Sequence, residues 1–395
     1  MSTTYKPLGP NDKISTKTLL HEAIPITGTI LSGTYMDRNI KSYSHGMFHS
    51  VYDYPYLSSS ANHIFDITFG YSTNSPFSAS AQGTNGQRSK KINIYNQMAQ
   101  VLNGYDKDGS IKEFDEDGDF SGGNKLRECI FLSFSRLLVK DEIKKGSFNM
   151  LVGISGSDGA PTTTLHPFGM VASIKDTGAS TSYKINSPTG EYGILYMSGT
   201  TVGRTSDAGT NTQETLTLDK QQADKGIPCG LIYYQAGVAV LTSSIFLEEA
   251  KNGFLKTGTT GVSNAVSNNI FNFGGTVGDG KTGLDSHFTG STIDTMATYL
   301  RARIQNISFN NTVELNSTIY FCRANHNEFN YSSNPTYLTS SQIRVKQETT
   351  DLPVSYITTV GLYSADNQLL AVGKLSEPLR KDPTIEYTLR ARLDY

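Results

Sequence analysis

The chain reads as a mainly β protein with a few helices, an α+β fold, on three observations. Runs that alternate apolar and polar residues recur along it, most regularly at the C-terminal end. Clusters of Gly, Ser, Asn and Asp punctuate those runs, as strands joined by tight turns require. Charged residues make up only 18% of the chain, below the ~25% of ordinary globular proteins, while 37 Gly and 22 Tyr fill the gap.

At 395 residues the chain is long enough for two or three cores. Three domains are expected: an N-terminal arm with a mixed α+β domain over 1–145, a β-rich middle domain over 146–310 built as a sandwich or barrel, and a C-terminal antiparallel β region over 311–395. From Met1 to about Leu31 the sequence is polar with scattered apolar residues, and a Tyr-rich stretch follows at Tyr35, Tyr43, Tyr52, Tyr54 and Tyr56. This predicts an extended arm, which orders only when it lies on its own domain or on a neighbouring subunit. Ile64 to Gly70 is a predicted strand and Asn74 to Arg88 a loop.

Helical spacing appears at Ile94, Tyr95, Met98, Val101 and Leu102, closed by Asn103-Gly104 as a C-cap. A second helix is predicted from Asn124 to Leu138, with Leu126, Ile130, Phe134, Leu137 and Leu138 on its buried side. A third is predicted from Thr292 to Ile304, with Ile293, Met296, Tyr299 and Leu300 on one face. Strands are predicted at Met150 to Ile154, Met170 to Ile174 and Tyr192 to Met197, and a hairpin over Gly230 to Phe246 bends at Gln235-Ala-Gly237. The turn cluster Ser155 to Gly159 separates two of them. Residues 252–290, rich in Gly, Thr, Ser and Asn, suit a long surface loop. Strands resume at Ile304 to Phe309 and Thr312 to Arg323.

A formal net charge of -2 leaves no basic excess to displace counterions from a nucleic-acid backbone. No run of about 18 apolar residues occurs and the first residues lack a signal-peptide pattern, so no membrane span is expected and synthesis in a cytoplasm is. Cys129, Cys229 and Cys322 match neither a zinc ribbon nor a disulfide scaffold and are expected to be small buried hydrophobes.

Three motifs invite a chemical reading. Gly275-Thr-Val-Gly-Asp-Gly280-Lys281-Thr282 fits the phosphate-binding loop letter for letter, but a true site needs a buried strand before it and a helix starting at the Lys. The flanks Asn268 to Phe273 and Gly283 to Gly290 are polar and poor in helix formers, which favours a flexible loop. The stretch Asp106-Lys-Asp108-Gly109 and its near repeat Asp115-Glu-Asp117-Gly118-Asp119 place carboxylates at alternate positions beside a Gly, as a calcium loop does. Neither register ends in the closing Glu, so solvated Asp-Gly turns are the preferred reading. His45 and His49 have the i, i+4 spacing of a helical metal pair but sit among Gly, Ser and Tyr without an adjacent Glu. No nucleophile elbow occurs. The sequence therefore assigns no catalytic, cofactor-binding or metal-ligating residue, calls for no cofactor, and points away from an enzyme.

The C-terminal segment is the most regular. Ile357 to Tyr363 turns at Ser364-Ala-Asp-Asn367 and returns as Leu369 to Leu375, a hairpin. Ile385, Tyr387, Leu389, Ala391 and Leu393 then alternate strictly with Glu386, Thr388, Arg390, Arg392 and Asp394, a terminal strand with one buried face.

Tyr356 to Leu375 resembles the I-x-x-V/I-G-L-Y/F … D-x-x-L-L-A-V-G/A hairpin of tail, baseplate and fibre-attachment proteins of tailed phages. Asn39 to Tyr71, Asn93 to Lys145 and Asn327 to Tyr337 are similar to structural proteins of contractile-tailed, T4-like phages of cyanobacteria and marine bacteria. The resemblance implies a virion protein of the tail or baseplate, assembled in the host cytoplasm, whose partners are further copies of itself, neighbouring tail or baseplate proteins and tail fibres. A neck or head-tail connector and a host-surface adhesin are the alternatives it leaves open.

Overall fold

A computed structural model describes residues 5–21, 31–32, 38–78, 85–153, 171–200, 202–205, 211–214, 226–246, 288, 291–332, 338–339, 342–343, 348 and 350–395. Among them the fold is mainly β, with three helices beside a large curled antiparallel sheet. The chain divides into two compact units, one of residues 21–313 and the other of 1–20 joined to 314–395.

The larger unit is built on a 12-stranded sheet. In chain order its main strands are β2 (His49–Tyr52), β3 (His63–Tyr71), β4 (Glu128–Phe134), β5 (Asn149–Gly153), β6 (Val171–Lys175), β7 (Gly190–Thr200), β8 (Ile227–Tyr233), β9 (Val238–Thr242) and β10 (Ile304–Ser308), with β1 (Lys13–His21) preceding them in the chain. Their spatial order is β10-β5-β6-β7-β8-β9-β4-β3-β2, with Leu31–Ser32 at one end and Ile40–Lys41 at the other. Most neighbours are consecutive in sequence and all these pairs are antiparallel, so the path is close to an up-and-down meander. No division falls between residues 145 and 146. β4 pairs with β9 over Cys129 to Ser133, so strands from either side of that point share one sheet and one core.

The helices position this core. α1 (Asn85–Leu102) begins earlier than its apolar spacing suggests, inside the stretch expected to be a loop. It ends where Gly104, at φ +75°, lets its N–H reach back to the Ala99 carbonyl at 3.1 Å. α1 lies against β3 at Gly70, where a Cβ would stand 2.7 Å from the Lys91 carbonyl oxygen and 2.8 Å from the Tyr95 nitrogen. The third predicted helix forms as α3 (Ile293–Arg303), and the Thr292 side chain accepts from the Thr295 N–H as its N-cap.

The helix expected over Asn124 to Leu138 does not form. That stretch holds Lys125–Leu126, the strand β4, and a single helical turn, α2 (Arg136–Val139). The reason is burial on both faces. Cys129, Ile130, Phe131 and Leu132 are consecutive and all wholly buried, because β3 and β9 flank β4 and both sides of the sheet are covered there. In a two-sided strand the apolar run is continuous, and its outer members happen to fall three or four apart. Fully burying a side chain such as Phe131 contributes about 1.5–3 kcal/mol. Tyr95, Phe114 and Phe131 pack edge-on and tilted at 5.4–6.4 Å between ring centres, while Phe134 meets Phe309 at 5.0 Å and Phe148 at 5.8 Å.

The smaller unit contains β11 (Asn311–Ala324), whose first residues belong to the larger one, with β12 (Ser355–Tyr363), β13 (Leu369–Lys381) and β14 (Tyr387–Asp394). β12 and β13 form the expected hairpin, turned at Asn367 with φ +60°. Of the expected arm, Lys13–His21 becomes strand β1 and lies on its own chain, in the sheet order β1-β11-β14, whereas Tyr52 of the Tyr-rich stretch belongs to β2 of the larger sheet. Ser15 and Thr318 hydroxyls meet at 3.1 Å, Lys17 pairs with Glu314 at 2.8 Å and Arg323 with Asp12 at 2.6 Å. β14 is tied to β11 over eight residue pairs, from Ser317 opposite Asp394 to Ala324 opposite Tyr387.

Candidate functional site

The two acidic repeats separate. Around Asp106 the chain makes a plain turn: Gly109 N–H donates to the Asp106 carbonyl, Asp106 N–H to the Ser110 carbonyl, and Tyr105 pairs with Ile111. The second repeat gathers its carboxylates. Phe114–Asp115 pairs with Lys125–Leu126, and the intervening turn brings oxygens of Asp115, Asp117 and Asp119 within 4.8 Å of one another. Asp117 accepts from the Asp119 N–H at 3.2 Å and Asp119 from the Ser121 N–H at 2.6 Å.

Asp115 is wholly buried, and Lys125 Nζ stands 2.9 Å from its Oδ2. Burial pushes the Asp115 carboxyl up against the pull of Lys125, whereas the Ser121 N–H holds Asp119 below the ordinary carboxylate range. Calcium takes six to eight oxygens. Three carboxylates supply part of such a set, the innermost is already countered by an ammonium, and in the register set by Gly118 the position of the closing Glu is held by the exposed Asn124. The geometry is that of an ion-paired acidic turn.

The other sequence candidates are not brought together. His49 lies on β2, buried, 3.2 Å from Asp294 of α3, and burial lowers its basicity, while His45 stacks on Tyr43 at 5.2 Å. Cys129 and Cys229 are buried and burial raises both thiols, while Cys322 is half-buried on β11, and none is in a disulfide. The phosphate-loop match at Gly275 to Thr282, the turn at Ser155 to Gly159 and most of the loop 252–290 lie outside the described residues. No helix among the described residues is long and apolar enough to cross a membrane.

The most unusual chemistry lies on the smaller unit, where burial is inverted. Among its described residues the buried side chains are Ser317, Thr318, Ser355, Lys381 and Asp382, and Ala324 is the one buried apolar residue. Lys381 anchors the base of the hairpin, donating to Asn330 Oδ1 at 2.5 Å, the Asp382 carbonyl at 2.9 Å and the His326 carbonyl at 3.2 Å. Ser355 donates to the Phe329 carbonyl beside it. Large apolar side chains are exposed instead: Leu370 at 67%, Val372 at 59% and Leu369 at 55% on the hairpin, and Tyr395 at 73%. Even the apolar row of β14 is only half-buried. Sequence alternation marks these residues as apolar but carries no sign that their cover is missing.

Among the described residues no further strand pairs with this hairpin; a two-stranded ladder is marginal in water unless something packs on it, and apolar side chains exposed together on one element mark a contact site. The arrangement is suited to docking. Comparison with known proteins finds no family model, no curated protein and no solved structure that matches the chain.

Proposed function

We propose that the chain is a structural component of a tailed bacteriophage particle, built into its tail or baseplate, and that it works through subunit contacts and not through chemistry of its own. The observation that carries this reading is the inverted burial of the smaller unit: polar groups inside, Leu369, Leu370 and Val372 outside. A unit of that size normally stabilises itself with a hydrophobic core. One that keeps its apolar side chains at the surface gains its stability where neighbours cover them. The resemblance of Tyr356 to Leu375 to phage tail hairpins supplies the particle, and the exposed residues fall on that same hairpin. Mass spectrometry of purified, DNA-free particles tests the proposal. The chain is expected among the stoichiometric tail proteins; its absence from particles overturns the reading.

A further inference from the structure

We propose that β14 is a self-pairing edge, which joins two copies of this chain into one continuous antiparallel sheet across a two-fold axis at Leu389. The inference deepens the subunit-contact reading and rests on it, by naming the partner and the register.

The backbone sets the first condition. Tyr395 N–H donates to the Asn316 carbonyl at 2.9 Å and Asn316 N–H returns the bond at 3.1 Å, so the peptide groups of Tyr395 face β11. Alternation along β14 then turns those of Leu393, Ala391, Leu389 and Tyr387 the same way, and those of Arg392, Arg390 and Thr388 outward. β14 ends the sheet order, so among the described residues no strand pairs with that outward row. A second strand can dock only in registers that set outward residues opposite outward residues.

Charge selects among these registers. The outer row reads Glu386, Thr388, Arg390, Arg392, Asp394. A two-fold at Arg390 sets that arginine against itself and Glu386 against Asp394, and a two-fold at Ala391 sets Arg390 against Arg392. Like charges directly opposite destabilise a ladder. A two-fold at Leu389 places Glu386 opposite Arg392 of the second copy, twice by symmetry, and Thr388 opposite Arg390. A shift to Thr388 also avoids like pairs along the strand but shortens the overlap within it.

The same register joins apolar to apolar. Leu389 meets Leu389 of the second copy and Tyr387 meets Ala391, extending across the axis the half-buried row that β14 leaves uncovered. Both charged ends are oriented in advance: Glu386 accepts from His326, and Arg392 is held by Asp394 at 2.8 Å and Ser317 at 3.0 Å. A symmetric contact of this kind closes on itself as a dimer.

Charge reversal on the full chain tests the register. Sedimentation velocity of the wild type at low salt is expected to show dimers or assemblies built of them. Glu386→Arg and Arg392→Glu, each verified as folded by circular dichroism, are expected to weaken pairing roughly tenfold or more, because each homodimer then opposes two like charges. Mixing the two variants restores pairing, since every facing pair is again Arg against Glu. A monomeric wild type, reversals that pair as tightly as the wild type, or a mixture no better than its components overturns the proposal. An assembled wild type indifferent to both reversals leaves the subunit-contact reading standing and removes only this edge, whereas absence from particles removes the virion reading alone.

Discussion

The Tyr234 hydroxyl donates to Asp176 Oδ2 at 3.1 Å, at a carboxylate that also accepts from the Gly146 N–H at 2.6 Å and the Phe148 N–H at 3.0 Å. Burial outweighs these donors and pushes Asp176 up to about 6 from its ordinary 3.8. A carboxyl whose folded value is raised binds its proton more tightly in the fold, so its contribution is full below about 4 and is lost as pH rises through about 6. Relative to Asp176→Asn, the wild type is expected to lose roughly 2–3 kcal/mol of stability between pH 4 and 7. Urea unfolding across that range measures it, and a difference independent of pH contradicts the assignment.

Gly70 holds α1 against β3 with no room for a methyl group, its Cβ position lying 2.7 Å from the Lys91 carbonyl oxygen. Backbone atoms on both sides cannot step aside as a flexible side chain does. Gly70→Ala is expected to destabilise by about 1–3 kcal/mol, read as a lower thermal midpoint.

Lys91 is wholly buried in α1, and its ammonium donates to the carbonyls of Phe288 at 2.5 Å and Ser291 at 2.7 Å, just before α3 begins. Lys91→Met keeps the apolar stem and removes the charged donor from both carbonyls. It is expected to destabilise by about 1.5–3 kcal/mol in chemical denaturation. Hydrogen exchange is expected to rise first at the start of α3.

β14 covers one edge of β11 through eight residue pairs. Removing Thr384 to Tyr395 strips that edge and uncovers the half-buried row of Tyr320 and Cys322. The shortened chain is expected to lose solubility and to fail in assembly. A truncated protein that stays soluble and enters particles contradicts the role given to this strand.

How much of this was legible in the sequence follows from the range of each interaction. The C-terminal end of α1, the whole of α3, the β8–β9 hairpin bent at Gln235 to Gly237 and the hairpin of β12 and β13 announce themselves, because spacing, caps and turns act over a few residues. β4 does not: Leu126, Ile130, Phe134 and Leu137 fit a helical face, and only the flanking strands β3 and β9 make Cys129 to Leu132 a strand buried on both sides.

The candidate sites divide in the same way. The alternating acids at Asp115, Asp117 and Asp119 were visible as a pattern, but that Asp115 is buried and Lys125 sits against it depends on how Phe114–Asp115 pairs with Lys125–Leu126. Basic residues such as Lys91, Arg301 and Lys381 look like surface groups in the sequence and are wholly buried, because their partners arrive from distant segments.

By itself, then, the sequence determined the β-rich class, the local hairpins and helix ends, and the alternation of the terminal strand, since each follows from periods of two or about four residues. Only tertiary structure decided that residues from both sides of 145 share one sheet, that the N-terminal arm lies on β11 some three hundred residues later, and that the smaller unit keeps polar groups inside and apolar ones out. Those outcomes rest on which distant edges pair and which faces find cover, and neither property belongs to any short stretch of chain.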